Sequence, residues 1–472
     1  MNKNKILLVV VVVLATNILT FFTARAIVTQ TATPAGDIED KAVLEDVTDD
    51  FQLFQEIVGI LESEHLHEID RNKLMHGAFE GMLEALDDPE ASYLDREEYE
   101  NLRVQTEGVY GGVGIEVFLD DEYVTIVSPI SGTPGEEAGL SSGDRIVSVD
   151  GVNLVGEDLN KAVNLMRGEP GTDVELEIER LGVDEALKFE ITREKIELET
   201  VEHEMLDDNL GYIELSNFSE TTAQEFEEAI EDLKQQNMEA LIIDLRNNPG
   251  GLLDAAVQIA NILIPEGPIT HLEGRDSRLE TKTSGREGLS IPMAALVNEA
   301  SSSASEVLAG ALQDTNTATI IGTQTFGKAS VQNIRQLSDG GALRYTVAQY
   351  QTPDGRTIHE EGLEPDIEIN PPPVAELARE PISTSLVEGD EGEEVETLQK
   401  LLAEFGYFDE EVSGIFDQAT RAALEQFQEE QSLYVTGEMS EMVVRKFHEE
   451  IEILREKDDR KLDRAVELLE KE

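Results

Sequence analysis

Residues 298–332 hold a cluster of serines (Ser301, Ser302, Ser303, Ser305) ahead of a run with helical apolar spacing, Val307, Leu308, Ala311 and Leu312. A short β-like run follows at 318–321, and Phe326-Gly327 then delivers Lys328, with Gln332 four residues on. A serine at the start of a helix sits beside backbone N–H groups that lack an intrahelical partner, so negative charge is favoured there. Such a serine can be a helix cap and nothing more. With a base in reach it can also be a nucleophile whose oxyanion is held by those amides. Lys328 is the candidate base. Gln332 lies at a spacing that faces the same side in helix or strand.

Serine hydrolases more often pair serine with histidine and aspartate. The histidines of this region are His271 and His359, and neither sits in a motif that brings it to the serines. A lysine base must be neutral, although a free lysine titrates near ~10.4. Burial among apolar groups such as Phe326 disfavours the ammonium, and Gln332 can exchange a hydrogen bond without adding charge. The neutral amine then takes the serine proton and later hands it to the leaving amine.

The elements that must position these groups are legible around them. Residues 210–215 are strand-like, 222–234 have amphipathic helical spacing, and 240–245 form a continuous apolar run, as in a buried strand. Arg246-Asn247-Asn248-Pro249-Gly250-Gly251 then turns sharply into the helical pattern of 252–264. Paired glycines between strand and helix offer bare amide donors, for an anion or merely for a tight turn. Residues 343–350 alternate like a strand before the Pro353-Asp354-Gly355 turn.

The segments S-S-A-S-E, F-G-K-A-S-V-Q and D-L-R-N-N-P-G-G together resemble the carboxyl-terminal processing peptidases, or tail-specific proteases, which use a Ser–Lys dyad. The resemblance puts the nucleophile at Ser303, the base at Lys328 and the orienting glutamine at Gln332, and it matches Asp314 to a commonly acidic position. It implies an oxyanion hole from the Ala304 N–H with Gly250 or Gly251. The family usually has alanine where this chain has Ser302, which leaves Ser305 as the alternative hydroxyl. The ending His359 with Gly362-Leu363-Glu364-Pro365-Asp366 matches as well.

Composition narrows the setting. The 472 residues call for several domains, and no cysteine is present, which removes disulfides, thiolate metal sites and cysteine-protease chemistry. Acidic residues number 100 against 36 basic, for a formal charge of −64, which repels nucleic acid. Apolar periodicity continues between the acids, so a folded protein adapted to high salt or an alkaline exterior fits better than disorder.

Residues 1–26 carry Lys3 and Lys5 ahead of an apolar run and end on Ala24-Arg25-Ala26, a small-x-small site. They read as a signal peptide or membrane anchor, and either places the rest outside the cytoplasmic membrane. Residues 27–50 read as a linker, and 51–104 as a helical region resembling the one ahead of the PDZ domain in the same family. His65, His67 and His76 lie there as solvated or core residues. No metal site and no cofactor is expected.

Residues 105–193 run from Gly111-Gly112-Val113-Gly114-Ile115 to Gly143-Asp144-Arg145-Ile146 and beyond, and resemble a PDZ domain. In that fold a peptide adds as a strand and loop amides hold its terminal carboxylate. The resemblance assigns the loop to Val113, Gly114 and Ile115. The flanking groove falls to Leu159, Val163 and Met166, with Arg167 as a carboxylate partner or a structural surface residue. The peptidase core is expected at 195–375 and a linker at 376–384, after the stiff Pro371-Pro372-Pro373. Residues 385–440 resemble the three-helix peptidoglycan-binding domain, and 441–472 read as a charged helical tail, solvated or self-associating.

The expected fold is therefore multidomain α/β. A mixed α/β Ser–Lys peptidase core carries an inserted α+β PDZ domain and an all-α C-terminal peptidoglycan-binding-like domain. The expected function is an exported serine endopeptidase that takes protein or peptide substrates by their C-termini. A catalytically silent PDZ scaffold and a wall-anchored adaptor are the alternatives. Expected partners are peptidoglycan, by resemblance, the membrane through the N-terminal segment, and a second copy of the chain.

Overall fold

Strand Ala240–Asp244 is apolar on both faces because it lies in the middle of a sheet that is covered on both sides. The computed structural model describes residues 41–472 apart from 121, 184, 207, 208, 371–376, 378–381, 432, 458 and 472. The expected leader at 1–26 lies outside the described residues, as do 27–40 and most of the two expected linker stretches around residues 371–384. Two units are distinct, 1–82 and 83–472.

The first unit contributes helix α1 (Lys41–Glu64) and the start of α2 (Arg71–Glu84). Residues 41–50, expected as tether, are helical. Among the described residues no helix is long and apolar enough to cross a membrane.

The second unit opens with β1 (Ser92–Leu94), α3 (Arg96–Glu107) and β2 (Val109–Gly112). The PDZ-like part holds β3 (Ile115–Asp120), β4 (Tyr123–Pro129), α4 (Pro134–Ala138), β5 (Arg145–Val149), β6 (Val152–Asn153), α5 (Leu159–Met166), β7 (Asp173–Glu179) and β8 (Leu187–Thr192). Its sheet runs β3-β4-β5-β7-β8 around Val124, Ile126, Ile146, Leu176 and Ile178. Strand β9 (Glu194–Glu197) returns antiparallel to β2, so the two ends of the insertion are zipped together.

The core follows as β10 (Val201–Met205), β11 (Leu210–Leu215), α6 (Thr222–Gln235), β12 (Ala240–Asp244), α7 (Leu253–Leu263), β13 (Gly267–Gly274), β14 (Arg278–Ser284), β15 (Met293–Val297), α8 (Ala304–Asp314), β16 (Thr319–Gly322), β17 (Ser330–Gln336), β18 (Ala342–Gln351) and β19 (Ile367–Glu368). One sheet has the order β10-β11-β12-β15-β16-β19, parallel from β11 onward. In a parallel sheet the loops after the carboxyl ends of neighbouring strands converge on one edge. Here the loop after β12 carries the glycine turn, the loop after β15 the serines, and the loop after β16 Lys328. The second sheet joins β1-β18-β13-β14, with β17 on β18.

Leu241 and Ile243 of β12 face the main core with α6, α7 and α8, while Ile242 faces the other side with Ala294, Leu296 and Ile321. The C-terminal module consists of α9 (Glu393–Glu404), α10 (Gln418–Glu430) and α11 (Glu441–Lys457), centred on Leu398, Leu402, Phe427 and Phe447. The rings of Phe427 and Phe447 meet edge to face at 4.6 Å. Val443, Phe447 and Ile451 complete this core, so helical packing continues past residue 440.

The last helix, α12 (Arg460–Leu469), is not a solvated tail. Its apolar residues Leu462, Ala465, Val466 and Leu469 recur every three or four positions and close the open face of the sheet over Ile242, Leu296 and Ile321. Periodicity among so many charges was too sparse to separate a surface helix from one that seals a sheet. Replacing Leu469, which is only 7% exposed, by alanine should lower unfolding stability by about 2–4 kcal/mol. Urea denaturation checks this, since a solvated tail would move it by less than about 0.5 kcal/mol.

Candidate active site

Ser303 stands at the N-terminus of α8 with φ 54° and ψ −114°, a backbone conformation that costs an L-residue about 1–3 kcal/mol. It is held there through its own peptide group. Its N–H donates to a Glu306 carboxylate oxygen at 2.9 Å, and its carbonyl accepts from Val307 N–H at 3.0 Å. The other serines of the cluster are buried and committed. The Ser301 hydroxyl donates to the Leu245 carbonyl, Ser302 to Pro249 and Ser305 to Asn248. Ser303 alone of the four is partly exposed.

Glu306 is wholly buried, and its two oxygens accept five hydrogen bonds, the longest from the Tyr350 hydroxyl at 3.4 Å. Besides Ser303 N–H and Tyr350 the donors are the Thr325 hydroxyl at 2.5 Å, Gly327 N–H at 2.7 Å and Lys328 N–H at 2.9 Å. One carboxylate thus ties the backbone of the serine to the backbone of the lysine. Tyr350, 2% exposed on β18, does the same from the other side. Its hydroxyl lies 2.6 Å from the Lys328 carbonyl and 2.9 Å from the Ser303 carbonyl. Burial, and then the charge of Glu306, push the Tyr350 phenol well above its ordinary range, so it stays a neutral donor. A buried Glu inside an apolar helix run was the available sequence signal for this clamp, since such a residue is almost never fully buried unless paired. Tyr350 gave no signal of its own beyond strand alternation.

The glycine turn is sewn to the serine loop by two asparagines and a carbonyl. Asn247 N–H donates to Asn298 Oδ1 at 2.9 Å, and Asn298 Nδ2 donates back to Asn247 Oδ1 at 2.8 Å. Ser302 N–H donates to the Asn248 carbonyl. Gly250, at φ 101°, packs so closely that a Cβ there would fall 2.9 Å from both the Ala304 nitrogen and Ser303 Cβ. Its own N–H is spent on Asn248 Oδ1 at 2.8 Å. The N–H groups of Gly251 and Ala304 find no acceptor among the described residues. Arg246 in the same turn grips Asp244 with two nitrogens and Asp459, the N-cap of α12, at 2.6 Å.

Several expected neighbours sit elsewhere. Phe326 is 64% exposed and does not bury Lys328. The lysine amine instead donates to the Glu90 carboxylate at 2.6 Å. Gln332 donates to the Ser330 hydroxyl at 3.0 Å and makes no hydrogen bond to Lys328 among the described residues. A bulge at Val331/Gln332 in the pairing of β17 with β18 breaks the regular alternation that its spacing assumed. The His271 ring is engaged by the Thr281 hydroxyl and the Pro353 carbonyl, and His359 makes no bond to Ser303 among the described residues. Asp314 pairs with Arg356 and accepts from Asp354 N–H, which fastens the end of α8 to a turn.

In the PDZ-like part the carbonyls of Val113 and Gly114 accept from Gly135 N–H and from the Thr133 hydroxyl, which fixes the loop ahead of β3. Leu159 and Val163 on α5 are half-buried. Met166 is only 4% exposed and belongs to the core, because its helical phase points inward with Ala162. Arg167 also leaves the groove. It donates to Asn101 of α3 at 2.8 Å and stacks on Tyr110 at 5.0 Å, and burial lowers its pKa from the ordinary value.

Comparison with known proteins matches residues 209–369 to peptidase family S41, 125–180 to a PDZ domain, 391–446 to a putative peptidoglycan binding domain, and 13–98 to the N-terminal domain of the activating protease CtpB. The chain is 35% identical over 414 residues to the carboxy-terminal processing protease CtpA of Bacillus subtilis (strain 168), covering 87% of this chain and 88% of that one. It is 34% identical over 419 residues to a probable CtpA-like serine protease of Staphylococcus aureus (strain N315), covering 88% and 84%. Among solved structures, the photosystem II D1 C-terminal processing protease is 31% identical, over 67% of this chain and 86% of that chain, with a TM-score of 0.40.

The clamp makes a direct prediction. Glu306→Gln turns an amide NH2 toward N–H donors and strands at least one of them, which costs about 1–3 kcal/mol. Unfolding stability and peptide turnover should both fall. Tyr350→Phe should lose about 1 kcal/mol and reduce turnover with little change in KM. Denaturation and steady-state kinetics on the two variants check this.

Proposed function

Since this chain belongs to the carboxy-terminal processing proteases of peptidase family S41, which are serine-type peptidases, we propose that it cleaves peptide bonds with Ser303 as nucleophile and Lys328 as base. The observation that carries this reading is the Glu306–Tyr350 clamp. It binds the backbones of these two residues together while the neighbouring hydroxyls of Ser301, Ser302 and Ser305 are locked on carbonyls.

The neutral amine of Lys328 takes the Ser303 proton as Oγ attacks the scissile carbonyl. Charge develops on the carbonyl oxygen, and two unspent amides, of Gly251 and Ala304, are the donors for it. Gly250 supplies clearance rather than a donor, since its N–H is held by Asn248 and its bare Cα lets the turn approach Ser303. The lysine ammonium returns its proton to the leaving amine, and an ester to Ser303 remains. Water then attacks the ester with the amine again as base, which frees the acid product and restores the hydroxyl.

The PDZ domain is the proposed reader of the substrate's C-terminus, through the amides of Val113, Gly114 and Ile115 and the flank formed by Leu159 and Val163. Export follows from the leader-like residues 1–26. The peptidoglycan-binding domain supports a place in the cell envelope, with the catalytic region outside the cytoplasmic membrane. The apolar N-terminal segment supports anchoring in that membrane.

Two matched peptides with an apolar last residue, one a free carboxylate and one amidated, test the whole reading in one assay. Ser303→Ala and Lys328→Ala should each abolish cleavage of both, with the fold retained. In the parent protein the amidated peptide should be cleaved at least roughly tenfold less efficiently in kcat/KM, since it lacks the charge-assisted hydrogen bonds of the carboxylate. Activity that survives in Ser303→Ala but is lost in Ser305→Ala would refute the assignment of the nucleophile. Equal rates for the two peptides would refute tail recognition.

A further inference from the structure

The amine of Lys328 is already engaged by a carboxylate. It donates to the Glu90 carboxylate at 2.6 Å, and both side chains are about three-quarters buried, at 25% and 24% exposure. No other side-chain carboxylate touches this amine among the described residues. Glu306 reaches only the backbone N–H of Lys328. While it is paired with Glu90 the amine is committed to that carboxylate, and the reaction needs it turned to Ser303 instead.

Glu90 is also a placed residue. Its N–H donates to Asp88 Oδ1 at 3.1 Å, and the Ala91 N–H donates to the Asp88 carbonyl. Asp88 is in turn bolted to β18, where its two oxygens accept from the N–H and the hydroxyl of Thr346 at 3.0 Å each. Burial opposes the charge of Asp88, but these hydrogen bonds outweigh it and hold its carboxyl below the usual range, so the anchor stays ionised. Two residues past Glu90, strand β1 begins its pairing with the same β18. Strand β18 carries Tyr350, whose hydroxyl holds the Lys328 carbonyl. One strand therefore fixes the position of Glu90 and of Lys328 together, although 238 residues separate them in sequence.

We propose that Glu90 is the counter-ion of the catalytic base: it holds the Lys328 amine in an ion pair, and it must release that amine before Ser303 can be deprotonated. This rests on the reading of Lys328 as base. No proton is gained or lost by the pair on release. The amine keeps its proton until solvent takes it, and only then accepts the one from Ser303. Glu90 is thus a residue that sets how much of the enzyme is competent at a given moment, and it acts on the base directly.

The test compares the parent protein with Glu90→Gln, which keeps the shape and one acceptor oxygen but removes the charge. Glu90→Ala serves as a second variant that also removes the acceptor. Two readouts are taken at one fixed pH. The first is the rate at which trinitrobenzenesulfonate modifies Lys328, followed by mass mapping of the peptide that contains it, since only a neutral amine attacks this reagent. The second is kcat/KM for the free-carboxylate peptide. Both should rise by roughly three- to fivefold in Glu90→Gln, the range expected when a partly exposed charge partner is removed. Glu90→Ala should show at least as large a rise in the modification rate. An unchanged or lower modification rate in both variants would overturn the proposal, and so would faster modification without faster turnover. A merely structural ion pair would leave modification unchanged and lower kcat/KM through a loosened loop. If Lys328→Ala still cleaves peptide, the dyad itself has failed, and the modification rates then report separately whether Glu90 holds the amine.

Discussion

The structure depends on one buried carboxylate. Glu306 accepts from Ser303, Gly327, Lys328 and Thr325, so the loops after β15 and β16 cannot separate without stranding several donors in a dry interior. The strained φ of Ser303 persists because this network over-determines it. A serine and a lysine 25 residues apart in sequence are thereby held as one constellation, and the neighbouring hydroxyls are taken out of play by carbonyls of the adjoining turn.

Around that clamp the parallel sheet does the coarse positioning. Strands β12, β15 and β16 aim their C-terminal loops at one edge, and the Asn247–Asn298 pair locks two of those loops in register. The face of the sheet away from α6, α7 and α8 is sealed by α12, which arrives only after the C-terminal module. Arg246 of the glycine turn is gripped by Asp459 at the head of that helix. Burial opposes its charge, but the hydrogen bonds to Asp244 and Asp459 raise its pKa beyond the ordinary value. The peptidase core is thus closed by residues from the far end of the chain, with the peptidoglycan-binding domain looped out between them.

Much of this was legible in the residues. The apolar run of β12, the glycine turn, the serine cluster and Lys328 could be read as strand, loop, helix start and base, and the family and three-part fold followed. What could not be read depends on contacts distant in sequence. Nothing in Phe326-Gly327-Lys328 says that the phenylalanine faces solvent and that the amine meets Glu90, because that contact is made by a loop anchored to β18 through Asp88. The helical phase of α5 is visible in sequence, but the side of it that is core is not, so Met166 was assigned to a groove although it packs inward. The tail misled for the opposite reason. Its charges are conspicuous and its apolar residues few, yet those few cover the open side of a sheet.

The central claim is that Ser303, and no neighbouring hydroxyl, carries the acyl group. Acid-quenching the full chain during turnover of a free-carboxylate peptide, followed by digestion and mass mapping of residues 298–328, tests it directly. The account predicts the acyl adduct on Ser303. An adduct on Ser302 or Ser305, or none at all during steady cleavage, would contradict it.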